Sequence, residues 1–172
     1  MYKLSRQQQK ELLLYLLLCI ISLFIYYTLL WQIVAEAYCR LVAAYLGFLG
    51  KHVACKNCYL WFNGHKLRLS WNCTALDLGL IFGLACLCTL DKPRKQRILG
   101  FLLVLGTAGY ANFVRLLATL YFLQFSVHVF IIAHQCIFRS LLFILLPGLY
   151  IVWYYGKIPW FRRKIATNLC DS

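Results

Sequence analysis

From Leu12 to Val34 the chain carries no charged side chain. As a helix rising 1.5 Å per residue, this stretch is about 35 Å long, enough to cross a bilayer core of roughly 30 Å with some tilt. Three more apolar stretches follow, at about 74–90, 98–122 and 131–155. Composition agrees: 63% of the residues are hydrophobic and 13% are charged, whereas a soluble domain has about a quarter charged. The expected fold is an all-α membrane protein, a single domain over 1–172 with about four transmembrane helices.

The net charge of +13 raises the question of nucleic acid. The basic residues sit instead in short clusters between apolar runs, which is the pattern that sets membrane topology. Lys3, Arg6 and Lys10 precede the first run; Lys92, Arg94, Lys95 and Arg97 separate the second from the third; Lys157, Arg162, Arg163 and Lys164 follow the fourth. All three clusters are expected on the cytoplasmic side, so both termini are cytoplasmic and the partner is the lipid bilayer, not nucleic acid. The first run resembles a signal peptide in its basic flank and in Ala35-Glu36-Ala37, but it is too long for one and is read as retained.

Between the first two runs the pattern changes. Tyr38, Leu41, Val42, Tyr45 and Leu46 recur at helical spacing, interrupted by Glu36 and Arg40, which predicts an amphipathic interfacial helix. In the region 51–72, Tyr59-Leu60-Trp61-Phe62 leads to Asn63-Gly64, and Leu67, Leu69 and Trp71 then alternate with Lys66, Arg68 and Ser70. Asn-Gly between such runs predicts a small extracytoplasmic β-hairpin, because both turn residues tolerate positive φ.

Charged groups inside membrane spans are costly and mark functional sites. Asp77, Arg115 and Arg139 are such groups, and Asn112 shares a helix face with Arg115. Helical rise puts Arg115 about 27 Å above Arg97, Cys73 at about the same height above Asp91, and His134 about 34 Å above Lys157. Three reactive side chains from three segments therefore reach similar heights near the outer edge. Their chemistry is coherent. A cysteine acts as its thiolate, which a neighbouring histidine or arginine cation and a helix N-terminus favour. Arginine can stabilise an oxyanion, and histidine can shuttle the proton to and from a leaving amine. Together they serve acyl transfer through a thioester and require no cofactor.

Cys73-Thr74-Ala75 opening one span, Asn112-Phe113-Val114-Arg115 in the next and His134 at the start of the third resemble, in order and spacing, the exosortase/archaeosortase family of membrane-embedded cysteine transpeptidases. The resemblance covers roughly residues 50–145. It implies a nucleophilic Cys73, a transition-state-stabilising Arg115 and an acid-base His134. Asn112 and Asp77 are expected in supporting roles. The implied substrate is an exported protein with a C-terminal transmembrane sorting signal, cut at the inner membrane and passed to an unknown acceptor. The family has glycine where this chain has Ala75, and its larger bacterial members have more spans.

Plainer alternatives stand beside each assignment. Cys73 is also readable as a passive interface cysteine, and Arg115 as the ion-pair partner of Asp77 in an adjacent span. Asn72-Cys73-Thr74 matches a glycosylation sequon, discounted because it abuts the membrane. His128 competes with His134, and Arg139 is readable as a snorkelling side chain. His52 and His65 are given no role. Cys55-Lys56-Asn57-Cys58 is a lone C-x-x-C pair, weak evidence for zinc and able to close a disulfide on an oxidising face. A rival function is a four-helix membrane thiol oxidoreductase using Cys55, Cys58, Cys73 and Cys136, which makes Cys55 and Cys58 essential and leaves Asn112 and Arg115 unexplained. The third is a non-enzymatic membrane assembly partner.

Overall fold

The computed structural model describes residues 5–70 and 73–156. The basic residues expected in the tail, together with Lys3, Trp71 and Asn72, lie outside them. The chain is mostly helical: α1 (Arg6–Ile25), a π-helical turn (Tyr26–Leu30), α2 (Trp31–Phe48), α3 (Leu76–Cys88), α4 (Arg94–Leu123), α5 (Val127–Ile132), a second π-helical turn (Ala133–Ile137) and α6 (Phe138–Tyr154). Strands β1 (Val53–Lys56), β2 (Tyr59–Phe62) and β3 (His65–Arg68) form an antiparallel sheet in the order β1-β2-β3.

Among the described residues, three helical stretches are long and apolar enough to cross a membrane: 43 residues over Arg6–Phe48, 30 over Arg94–Leu123 and 28 over Val127–Tyr154. Their outer faces present large apolar side chains, among them Leu13, Ile20, Phe24 and Ile144, all at least two-thirds exposed. That is the surface a bilayer covers at no hydrophobic cost.

The expected span at 74–90 is shorter than its sequence implied. Helix α3 has 13 residues, roughly 20 Å, which falls short of the bilayer core. Ala75 takes a left-handed conformation (φ 49°) and so delays the helix start to Leu76. Thr89 leaves helical geometry at the other end. The helix is held among its neighbours: Gly79, Gly83, Leu84, Cys86 and Cys88 are buried. Gly79 and Gly83, four apart, let α4 approach closely; a Cβ on Gly79 would lie 2.8 Å from the Ala108 Cβ, and one on Gly83 2.9 Å from the Phe101 ring.

Helices run alternately up and down. Arg97 donates to the Leu87 carbonyl at one end of α3, and Asn112 donates to the Cys73 carbonyl at the other, so α3 and α4 are antiparallel. Trp153 of α6 covers Gly100 near the start of α4, so α6 is antiparallel to α4 as well. Ser5 and Gln7 share a groove with Asp91 and Tyr154, so both ends of the described chain lie at one end of the bundle.

No separate interfacial helix forms. Residues 31–48 continue α1 through the π-helical turn, and Glu36 and Arg40, which interrupt the apolar pattern, are one turn apart and bonded at 2.7 Å. Ala35, Cys39 and Val42 form the buried stripe of α2. They pack with Leu60 and Phe62 of the sheet, with Leu69, and with Leu116, Leu120 and Leu123 of α4. A second core at the opposite end joins Cys86, Val104, Ala108, Leu146 and Trp153.

The hairpin at Asn63-Gly64 forms as its sequence predicts, with Phe62 opposite His65 and both turn residues at positive φ. A further strand, β1, precedes it through a turn at Asn57-Cys58, again with positive φ at both positions. The Cys55–Cys58 disulfide allowed by the sequence is not formed. Cys55 points inward, alternating with the exposed Ala54 and Lys56, and bonds to the buried Cys39 of α2. Cys58, in the turn, is a free thiol.

Candidate active site

At the end of the bundle beneath the sheet, the chain between β3 and α3 turns inward. The Cys73 N–H donates to the Ser70 carbonyl at 2.9 Å, and the Ser70 hydroxyl lies 3.7 Å from Cys73 Sγ. Two helix-borne side chains hold Cys73 and Thr74 in place. Asn112, fully buried on α4, donates from Nδ2 to the Cys73 carbonyl at 2.7 Å. Tyr26, fully buried in the first π-helical turn, hydrogen-bonds through its hydroxyl to the buried Thr74 hydroxyl.

Cys73 Sγ lies 3.5 Å from His134 Nε2. His134 sits in the second π-helical turn, its ring stacked on Phe130 with centroids 5.6 Å apart and planes 6° from parallel. Arg115 is 4% exposed. Its Nη1 donates to Asn112 Oδ1 at 3.3 Å, and its Nη2 reaches the His134 carbonyl at 3.1 Å and His134 Nε2 at 3.2 Å. Arg115 Nε and His134 Nδ1 have no partner among the described residues.

Guanidinium nitrogens only donate, so the Arg115 contact assigns the lone pair of neutral His134 to Nε2 and its proton to Nδ1. The lone pair thus faces both the guanidinium and the thiol. These groups open onto a cavity of about 650 Å³. Apolar side chains including Leu60, Leu116 and Phe130 line it, with Arg68, Gln135, Cys136 and Arg139 around them; among the described residues no carboxylate does.

Of the residues singled out in the sequence, Cys73, Asn112, Arg115 and His134 come together here. Asp77 does not pair with Arg115. The one ion pair among the described residues joins Glu36 and Arg40, and Asp77 instead accepts from the Tyr27 hydroxyl at 3.3 Å. His128 lies in the first turn of α5, its N–H capped by the Ser126 hydroxyl, and is not among the groups that line the cavity. Tyr26 and Thr74 escaped sequence reasoning. Thr74 stands beside Cys73, but a tyrosine 48 residues earlier in an apolar run carries no mark of its own. Comparison of the chain with protein-family models, with curated proteins and with solved structures yields no match.

Proposed function

We propose that the protein is a membrane-embedded cysteine peptidase and transpeptidase that acts near the outer face of the inner membrane. It removes the C-terminal sorting helix of exported proteins through a thioester. The observation that carries this reading is the contact of Cys73 Sγ with His134 Nε2 at 3.5 Å, with Arg115 Nη2 held 3.2 Å from the same nitrogen.

Each residue then has a step. The His134 Nε2 lone pair takes the thiol proton from Cys73. The thiolate attacks the scissile carbonyl, forming the C–S bond and an oxyanion. Once protonated, Nε2 no longer accepts from Arg115, and Arg115 Nη2 becomes free to donate to that oxyanion. Collapse breaks the C–N bond, and the departing amine takes the proton from His134. The acceptor nucleophile then gives a proton to His134 and attacks the thioester, the C–S bond breaks, and Cys73 leaves as a thiolate that takes that proton back from His134. Asn112 holds both the Cys73 carbonyl and the Arg115 guanidinium, and so fixes the distance between nucleophile and cation. The leucine-lined cavity suits an apolar peptide segment entering from the bilayer.

Mass spectrometry of the C-terminal peptides of exported proteins tests the reading, comparing cells with the wild-type protein and cells with Cys73→Ala. A set of proteins that keeps its C-terminal helix only in the mutant supports it and gives the cleavage site. Matching profiles defeat it, and matching profiles with altered disulfides elsewhere favour a thiol oxidoreductase.

A further inference from the structure

Helix α1 buries none of its residues, as expected of a helix facing lipid. Immediately above it the π-helical turn buries Tyr26 completely. A π-helical turn carries one residue more than an α-helical turn, so it rotates the remainder of the helix by about 100° and re-aims the side chains at the insertion. Here it directs two adjacent tyrosines onto the chain just after the nucleophile: Tyr26 onto Thr74 and Tyr27 onto Asp77. Thr74 is fully buried and lies between Cys73 and the left-handed Ala75. A strained residue beside a turn persists only where its surroundings over-determine it. The Tyr26 hydroxyl supplies that restraint from one side and Asn112 from the other.

We infer that Tyr26 is a positioning residue for Cys73: acting through the Thr74 hydroxyl, it holds the thiol within reach of His134. The inference rests on the proposed transpeptidase reading for its biological meaning, but its test needs no substrate. The full-length protein in detergent is alkylated with iodoacetamide between pH 6 and pH 9, and the Cys73 peptide is quantified by mass spectrometry. Exposed Cys136 lines the same cavity and serves as the internal reference for an intact fold. The charged and titratable groups around the thiol are His134, Arg115, Arg68, Cys136 and Arg139 across the cavity, Tyr26 behind Thr74, and Asp77 four residues on.

Tyr26→Phe keeps the ring and removes the hydroxyl. It is expected to slow Cys73 labelling at pH 7 about five- to tenfold, the worth of one buried hydrogen bond, and to move its pH profile toward that of His134→Gln. Thr74→Val gives the same change, Thr74→Ser restores the wild-type profile, and Tyr26→Phe combined with Thr74→Val adds nothing. Cys136 labelling stays constant throughout. A wild-type Cys73 profile in Tyr26→Phe overturns the inference, as do additive effects in the double variant. Normal processing by Cys73→Ala would instead defeat the transpeptidase reading and leave the labelling result standing.

Discussion

Asn112 carries a stability prediction that rests on the site alone. Its side chain is fully buried, and its amide makes two bonds: Nδ2 to the Cys73 carbonyl at 2.7 Å and Oδ1 from Arg115 Nη1 at 3.3 Å. Asn112→Ala removes both. Cys73 loses a neutral hydrogen bond worth about 1 kcal/mol, and Arg115 loses a charged one worth about 1.5–3 kcal/mol. Arg115 already has an unpartnered Nε, so the guanidinium would keep only its Nη2 contacts to His134. Together the losses come to about 3 kcal/mol, a fall in Tm of roughly 6–12 °C for a chain of this size. Thermal unfolding of the purified protein in detergent, followed by tryptophan fluorescence, reads this directly. Asn112→Asp separates the two bonds. It keeps an acceptor for Arg115 but presents only oxygens to the Cys73 carbonyl, so it should recover more than half of the lost stability. An Asn112→Ala protein that melts within about 2 °C of wild type refutes the reasoning. So does an Asn112→Asp protein that falls as far as the alanine variant.

Four other substitutions probe the frame around the site. Gly79→Val places a Cβ 2.8 Å from the Ala108 Cβ and should cost about 1–3 kcal/mol or more, seen as a lower Tm in detergent, whereas Gly106→Ala, in the interior of α4 with open space around it, should leave the Tm unchanged or raise it by a few degrees. Ala75→Gly relieves left-handed strain of about 1–2 kcal/mol, part of which is offset by the greater chain entropy of glycine, so the Tm should rise by a few degrees with Cys73 still reactive. Cys55→Ser opens a disulfide with a sequence separation of 16 and should cost about 3 kcal/mol. A non-reducing peptide map should link Cys55 to Cys39, and a link to Cys58 would refute the pairing.

The long helices and the Asn63-Gly64 turn were legible because each rests on local information: an apolar run, or two residues that tolerate positive φ. The joining of α1 to α2 was hidden because Glu36 and Arg40 read as an interruption, yet they neutralise one another across one helical turn. Strand β1 was missed because its turn uses Asn57-Cys58, with cysteine where glycine is the usual signal. The limits of α3 turn on a backbone choice at Ala75 that its side chain does not announce. For the site, counting residues gave the heights of Cys73, Arg115 and His134, but height says nothing about lateral neighbours. Adjacency comes from the close α3–α4 approach at Gly79 and Gly83 and from the two π-helical turns, and tertiary packing decides both.

Outside the turns of the sheet, the departures from regular geometry are not scattered. One π-helical turn holds Tyr26, the other holds His134, and the left-handed Ala75 lies two residues from Cys73. The left-handed backbone at Ala75 costs on the order of 1–2 kcal/mol, and such a conformation persists only under restraint from the surrounding structure. Here the restraints can be named. Tyr26 bonds to Thr74, and Asn112 bonds to the Cys73 carbonyl; Arg115 bonds to the His134 carbonyl, and Phe130 stacks on its ring. Each of these contacts ends on a residue that carries, or directly follows, the thiol or the imidazole. A bundle selected only for packing would gain by replacing the two π-helical turns with α-helix and Ala75 with glycine. The bonds that resist those changes are the same bonds that keep the imidazole within 3.5 Å of both the thiol and the guanidinium. The irregular turns and the reactive geometry therefore share their restraints, and losing a restraint should loosen both together.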